Sequence, residues 1–518
     1  MSEKGVLDSN QNTEIAYMDG GEKYLYKIFK RKNYRDSFDL HRYIKDWASK
    51  YHLTVERTAV IHSVQELLDK NSTVLELGAG AGAITWYLAQ NFKHVDAVEG
   101  SSARSSIIKE RTKRYDNVHV TTADITQINY PKEFYQLVTL VGVLEYIPFY
   151  SKEDRKTAVS RFLKNLYHTL DKEGILLISI ENKLGAKYFS GCREDHNGVL
   201  FSGIIDYPFK SPITYSRYEL ESLLKDAGFE NIQFYHLLPD YKLPKIFVRE
   251  TTEFYDLNPS GIWRGSFNDY SGSRAFLFSD PLFIENTLKS RTFFEFSNSF
   301  LVLASKSKNK NLKTRWIFRK YWNEPFIKKE YHHFVDVIKD KNQIKVKKSP
   351  LYTNTKKQEN EIFEYRLLNQ NWVKGTSIYI KALKALFAQD SFKTLHQINN
   401  TLLENLVKSF GTGREDLQGY PLVNGEAIDF TYWNLKEDEQ GRWHFFDKKW
   451  RLKTDITIDF VLFRNLLYLW EDFAPFVQGM TKEQFIFSTI QSIFPKYDIK
   501  RFQNHIDIEQ TFQSSILG

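Results

Sequence analysis

Cysteine is nearly missing from this chain: Cys192 stands alone among 518 residues. A lone thiol excludes an internal disulfide, argues against a cysteine-built zinc site and suits a reducing compartment. Long apolar runs are missing too, the longest being Leu137–Leu144, far too short to cross a bilayer. Met1–Ile28 is polar and mixed in charge with no apolar signal core, and no anchor or amphipathic tail stands out near Gly518. A cytoplasmic chain is therefore expected. Internal repeats, low-complexity tracts and sustained heptads are absent. So are the signatures of RNA recognition, and no nucleic-acid partner is expected.

What the chain does have is aromatic bulk. Forty Phe and 30 Tyr supply large packing surfaces, and the 42% hydrophobic and 26% charged fractions are those of a globular protein. The length calls for two or more domains. The net charge of +8 is spread along the chain, with modest clusters at Lys306–Lys313 and Lys345–Lys348. Such runs are ordinarily solvated faces; an anionic lipid or a phosphate-bearing substrate is the alternative.

Residues 1–70 read as mostly helical, with apolar residues at three- and four-residue spacings in Tyr43–Lys50 and Thr58–Leu68. Strand and helix patterns then alternate. Strands are expected at Val74–Leu77, Val95–Val98, Val118–Thr121, Leu137–Val143 and Gly174–Ser179. Helices are expected at Ala83–Gln90, Ala103–Arg114, Arg155–Leu170 and Arg217–Ala227. That alternation is the mark of βαβ units and a mainly parallel sheet. A later strand, Ser299–Ala304, runs into the charged Lys306–Lys313 stretch, which sets the domain boundary: 1–306 and 307–518. Beyond it, Ile344–Lys348 alternates like a strand, Gln358–Leu368 and Ser391–Phe410 look helical, and two short strands flank Glu437–Gly441.

The chemistry of the first domain starts at Val74-Leu75-Glu76-Leu77-Gly78-Ala79-Gly80-Ala81-Gly82, a strand, a glycine-rich turn and the start of a helix. Glycine lets the backbone approach a ligand closely. The turn alone is weak evidence, since dinucleotide enzymes use nearly the same one. The acids around it decide. Glu76 precedes the turn, where a carboxylate meets a ligand ammonium and repels a pyrophosphate. Glu99 ends the next strand, placed for two ribose hydroxyls, and Asp124 follows the third, placed for an adenine amine. Each acid alone reads equally as a solvated loop carboxylate. The ordered set at strand ends, where parallel sheets bind ligands, describes a cationic, adenosine-bearing ligand without phosphates. A nicotinamide-dependent oxidoreductase is disfavoured by Glu76 and by the missing second half of a dinucleotide fold.

This order resembles the class I S-adenosylmethionine-dependent methyltransferases over about residues 70–235. The family's fourth-strand motif usually begins with an acid, and the corresponding position here is Gln136. Because the sulfonium is already an activated methyl donor, the protein need only align an acceptor and take a proton. Candidate aligners or bases are His52, Glu145 and His196; a lone histidine is more often structural, and these stand out through context.

A narrower resemblance, over roughly residues 43–304, is to the bacterial O-antigen chain-terminating methyltransferase–kinases. It is carried by Trp47 with Tyr51-His52-Leu53 and Arg57, by Gly82-Ala83-Ile84-Thr85, and by Gly142-Val143-Leu144-Glu145-Tyr146. Glu181-Asn182-Lys183-Leu184-Gly185, Glu194-Asp195-His196, Asp240-Tyr241-Lys242-Leu243-Pro244 and Asn298-Ser299-Phe300-Leu301 continue it. The resemblance implies S-adenosylmethionine as cofactor, with Tyr51 and Arg57 among its contacts. It also implies an acceptor at the end of a lipid-linked polysaccharide or other glycan, either a sugar hydroxyl or a phosphate on that sugar. A glycosyltransferase partner and peripheral attachment to the inner membrane face go with it. A phosphate acceptor needs cations, for which Lys27, Arg57, Lys183 and Arg193 are candidates.

In the C-terminal half, Asp429-Phe430-Thr431-Tyr432-Trp433-Asn434 has the D-x4-N spacing of a kinase catalytic loop, and Phe445-Phe446-Asp447 follows. Phosphoryl transfer from ATP needs an acid near the acceptor hydroxyl, and an Asn and a second Asp to hold Mg²⁺. Asp429, Asn434 and Asp447 fit those roles in order. Lys348 is the candidate for the ATP phosphates, with Glu361 ahead of Glu359 and Glu364 as its partner acid. The usual His and Arg of the loop and a preceding glycine-rich loop are missing, which leaves open a kinase-shaped domain without catalysis that recruits substrate or partners, or a coincidental match. A non-catalytic assembly scaffold is the remaining reading. The expected fold is α/β: a Rossmann-like class I methyltransferase sheet with a helical N-terminal region, followed by an α+β kinase-like domain.

Overall fold

The structure is a computed structural model and describes residues 14–15, 19–31, 38–352 and 360–518. The chain forms two compact units. The first comprises 1–250, 268–274 and 294–320, and the second 251–267, 275–293 and 321–518. The chain passes to the second unit for the last time between Lys320 and Tyr321 and not at 306/307, because past the Lys306–Lys313 stretch it returns to the first unit's sheet, and 251–267 and 275–293 already belong to the second unit.

That sheet contains β1 (Thr73–Leu77), β2 (His94–Glu99), β3 (Val118–Thr122), β4 (Tyr135–Val141), β5 (Leu170–Glu181), β6 (Asn231–Leu238), β7 (Ile246–Arg249), β8 (Ser299–Ser305) and β9 (Trp316–Trp322). Their order is β3-β2-β1-β4-β5-β8-β6-β7-β9. Pairing is parallel from β3 to β5 and antiparallel from β8 onward. The central strands are apolar on both faces because helices cover both faces of a parallel sheet. Leu75, Val138, Leu140, Leu176 and Ile178 are buried in one core with Phe162 and Leu166 of the helix Arg155–Thr169.

Three local departures from the sequence pattern have physical causes. β4 stops at Val141 because Gly142 turns with φ 70°, and a Cβ there would stand 2.3 Å from the Tyr241 hydroxyl. β5 begins earlier than expected, at Leu170, through a register irregularity opposite Tyr135. The Thr58–Leu68 helix is broken into Val55–Thr58, Ala59–His62 and Gln65–Leu67. Donors from β9 take the carbonyls at the break: Trp316 Nε1 reaches Ser63 O at 3.1 Å, and Arg319 Nη1 reaches His62 O and Ser63 O at 3.3 Å.

The second unit is an α+β arrangement. A hairpin of β10 (His333–Asp340) and β11 (Gln343–Pro350) carries Lys348. Helices Ile378–Leu386, Ser391–Phe410, Ile458–Phe473, Lys482–Ile493 and Ile499–Ile516 pack with three small antiparallel sheets around one core. The helix expected at 358–368 is replaced, in its described part, by the strand Phe363–Tyr365, paired with Trp450–Leu452. Phe363 and Tyr365 are buried while Glu364 between them is less so, a period of two that the aromatic-rich sequence did not separate from helical spacing. Glu359 lies outside the described residues. Among the described residues no helix is long and apolar enough to cross a membrane.

Candidate active site

The C-terminal ends of β1 and β2 open into a cavity of about 590 Å³ in the first unit. This is the point where the strand order reverses around β1, the position at which open α/β sheets bind ligands. Gly78, Gly80 and Gly82 all take left-handed conformations, with φ of 69°, 59° and 75°. A Cβ on Gly78 would stand 2.5 Å from Val143, so close packing forbids a side chain there. At Gly80 the nearest atom to such a Cβ is 3.9 Å away, so the missing side chain leaves open space beside the cavity.

All three acids singled out from the sequence line this cavity. Glu99 accepts the Gly80 N–H at 2.7 Å and the Ser101 N–H at 3.0 Å, which fixes its carboxylate against the glycine turn. Each oxygen keeps lone-pair capacity for a ribose hydroxyl. Burial pushes its pKa up. Asp124 accepts the Thr126 N–H and hydroxyl, both at 2.8 Å and both on Oδ1. Glu76 is 4% exposed, and its Oε2 has no hydrogen-bond partner among the described residues. Burial pushes the Glu76 carboxyl up to about 8, against the opposing pull of Thr85 and Arg57. A buried, unpartnered carboxylate is costly, and a cationic ligand removes that cost. These residues fit a sulfonium nucleoside bearing an ammonium group.

The helix Trp47–Leu53 supplies Tyr51 and His52. Its N-terminus is fixed by a capping box in which Asp46 accepts the Ser49 N–H at 2.8 Å. Thr54 then caps the short helical turn that carries Arg57. The Arg57 guanidinium lies 3.7 Å from the Tyr51 ring centroid, a cation–π stack on the cavity wall. His52 is buried and pairs through Nε2 with Asp19 Oδ2 at 2.8 Å, and Arg104 holds the same oxygen at 2.8 Å. Burial pushes the His52 imidazole down to about 4 despite Asp19. It is neutral at pH 7, Asp19 holds the Nε2 proton, and Nδ1 carries a lone pair without a partner among the described residues.

Glu145 and His196 sit together but not alike. His196 lines the cavity; Glu145 is fully buried behind it, with its Oε1 3.7 Å from His196 Nε2. His196 Nδ1 lies 2.8 Å from Glu194 Oε1, and Glu194 Oε2 accepts the backbone N–H of His196 and Asn197. Burial opposes protonation of His196, but Glu181 and Glu194 outweigh it and hold the imidazole well above its ordinary range. Of the four cations proposed for a phosphate, only Arg57 lines the cavity. Lys183 is held by Glu219 at 2.7 Å and Arg193 by Asp269 at 3.0 Å, while Lys27 is exposed. Gln136, at the family's acid position, accepts the Thr73 N–H at 2.9 Å and donates to Phe134 O, so it clamps strand starts away from the site. Asp19 was not legible in the sequence, because it acts on His52 from 33 residues away with no motif to mark it.

In the second unit, Lys348 and Asp447 come together, Nζ to Oδ1 at 2.7 Å, with Lys449 on Oδ2 at 3.2 Å. Burial would raise the Asp447 pKa, but Lys449 and Lys348 outweigh it and hold the carboxyl far below the usual range. Asp429 Oδ2 accepts the N–H of Lys449 and Trp450 at 2.6 and 2.8 Å, and Asn434 Nδ2 donates to the Asp429 carbonyl at 3.0 Å. Burial pushes Asp429 up to about 6. Glu361 is not part of this group: it is exposed, and the acid on Lys348 is Asp447. Glu364 is taken by Arg366. The expected lysine–acid pair fails because its segment forms a strand and not a helix.

Residues 51–234 match the family described as a methyltransferase domain. An rRNA adenine N-6-methyltransferase of Bacillus licheniformis is 31% identical over 127 residues, 20% of this chain and 44% of that protein. The (S)-tetrahydroprotoberberine N-methyltransferase of Eschscholzia californica is 23% identical over 189 residues, 35% of this chain and 51% of that protein. The chain thus spans about half the length of these relatives or less. Among solved structures, a phosphoethanolamine N-methyltransferase of Haemonchus contortus with S-adenosyl-L-methionine is 16% identical, covering 56% of this chain and 57% of that one with a TM-score of 0.33.

Proposed function

We propose, from the methyltransferase domain that residues 51–234 form, that this protein transfers the methyl group of S-adenosylmethionine to a hydroxyl of a glycan. The observation that carries the cofactor is Glu76, a buried carboxylate on the cavity wall with an oxygen that no described residue satisfies. Glu76 takes the ammonium, Glu99 the ribose hydroxyls and Asp124 the adenine amine, with Tyr51, Arg57 and the Gly78–Gly82 turn closing the pocket. Bound there, the cofactor supplies an activated methyl group. The chain's own work is to align an acceptor oxygen and accept its proton, and His52 Nδ1 suits that task because the ring is neutral and oriented by Asp19.

The acceptor class rests on the resemblance carried by Gly142–Tyr146, Glu181–Gly185 and Glu194–His196: the terminal sugar of a bacterial surface polysaccharide. A hydroxyl is favoured over a phosphate by the shortage of unpaired cations among the described residues of the cavity, where Lys242 is already held by Asp195 at 2.7 Å. A glycosyltransferase partner and a place at the inner membrane face belong to the same reading. The test is mass spectrometry of surface polysaccharide from cells lacking the gene, with labelled cofactor in vitro. Loss of one terminal methyl is expected; an unchanged glycan removes the acceptor, and absence of cofactor binding removes the reading entirely.

The second unit supports a second reading, an ATP site with Mg²⁺, because Lys348 meets Asp447 across 99 residues of sequence with Asp429 and Asn434 beside them. Lys348 would take the phosphates, Asp447 and Asn434 the metal, and Asp429 the acceptor proton. Calorimetry with Mg-ATP separates this from a non-catalytic recruiting domain, which would give no heat.

A further inference from the structure

At the cavity wall, reached by Asp195, His196 and Lys242, lies a group of charges to which neither reading gives a chemical role. Glu145, Glu181 and His196 each offer a ligand atom, all within 4.8 Å of one another. Among the described residues, both oxygens of Glu145 are buried without a hydrogen-bond partner, and so is Glu181 Oε2. The 3.7 Å from Glu145 Oε1 to His196 Nε2 is too long for a hydrogen bond. Glu181 Oε1 and Asp195 share Lys242, and Asp195 and Asp240 share Lys187. Five carboxylates with buried side chains, at 145, 181, 194, 195 and 240, therefore face two lysines and one imidazole. Among the described residues, full ionisation of these acids would leave two surplus negative charges even with the imidazole protonated, a state that burial makes costly. His196 is also held as a metal-ligating histidine is held. A carboxylate, Glu194, sits on Nδ1 at 2.8 Å, which fixes the ring and leaves Nε2 toward the two acids.

We propose that Glu145, Glu181 and His196 bind one divalent first-row transition-metal ion, through the glutamate oxygens that lack partners and His196 Nε2. One imidazole and two carboxylates suit Mn²⁺, Fe²⁺ or Zn²⁺ better than ions preferring thiolate or oxygen alone. Metal–ligand distances of about 2.1 Å require the three side chains to draw in by about an ångström. Three protein ligands leave coordination positions open to water or an oxygen ligand, and His196 places this site at the cavity wall.

The test reads metal, not methyl transfer, so its result is independent of the cofactor assignment. The full chain, stripped with a chelator and dialysed, is titrated with Mn²⁺ and in parallel with Zn²⁺, by calorimetry and by thermal melting. One ion per chain and a metal-dependent rise in melting temperature are expected. Glu145→Gln keeps the shape and deletes a surplus charge, so it should melt higher than wild type without metal and lose the metal-dependent rise, with affinity at least about 100-fold weaker. Glu194→Gln should weaken binding about 10- to 100-fold by releasing the ring. His196→Ala gives a second reading of the ligand set if Glu145→Gln does not fold. No saturable uptake of either ion by wild type, or unchanged affinity in these variants, overturns the site.

Discussion

Glu76 and Asp447 are both acids that the sequence marks for a ligand, yet the fold treats them in opposite ways. Glu76 is buried at the glycine turn with one oxygen unsatisfied, and burial drives its pKa up to about 8. Asp447 is clasped by Lys348 and Lys449, and its pKa is driven down. The described residues of the first unit leave one oxygen of Glu76 without a partner; those of the second hold Asp447 between two lysines. A ligand for the first relieves a cost, whereas a metal ion at Asp447 must displace a lysine. The contrast separates a site poised for a cation from one at rest without it.

The sharpest break in that comparison would come from Glu99. Glu99→Ala removes a charged acceptor for two hydroxyls, each such bond being worth about 1.5–3 kcal/mol, so affinity for S-adenosylhomocysteine should fall about 100-fold or more by calorimetry. An unchanged affinity would end the adenosine assignment.

Next in size is a pH effect at Glu76. Its raised pKa means that its contribution to the ligand-free fold is complete below 4.5 and is lost as pH rises toward about 8. The slope from this group is at most about 1.4 kcal/mol per pH unit. Cofactor binding should therefore tighten by up to about tenfold per pH unit over that range, because the ligand needs the ionised acid. Glu76→Gln should flatten both profiles while weakening binding at pH 8. A wild-type affinity independent of pH between 6 and 8 would contradict the buried, neutral Glu76.

Asp447 has the opposite sign. Its stabilisation is present above the ordinary carboxylate value of 3.8 and is lost only as pH falls below it. Lys348→Met should cost about 2 kcal/mol in denaturant unfolding, less than the usual 3–5 for a broken buried pair because Lys449 remains. Adding Asp447→Asn should recover part of that loss. The smallest effect belongs to Glu361→Ala, which should change stability by less than about 0.5 kcal/mol and leave Mg-ATP binding as it was.

Much of the first unit could be read along the chain. The parallel strands, the glycine turn and the acids at 76, 99 and 124 all lie on one cavity, because each depends on a short run of sequence and on the rule that ligands meet strand ends. What escaped depended on partners distant in sequence. The break in the helix after His62 is made by Trp316 and Arg319, and the orientation of His52 by Asp19. In the second unit, the Phe363–Tyr365 strand takes its form from pairing with Trp450–Leu452, and that pairing removes Glu361 from Lys348.

By itself the sequence determined the periodicities, and with them the alternating sheet, the ligand-facing turn and the choice of acids around it. Only the tertiary structure decided which of those acids are matched. Whether a buried carboxylate stands against a lysine or keeps an oxygen that no described residue meets is set by side chains up to about a hundred residues away, and in a medium of low dielectric those neighbours fix the charge.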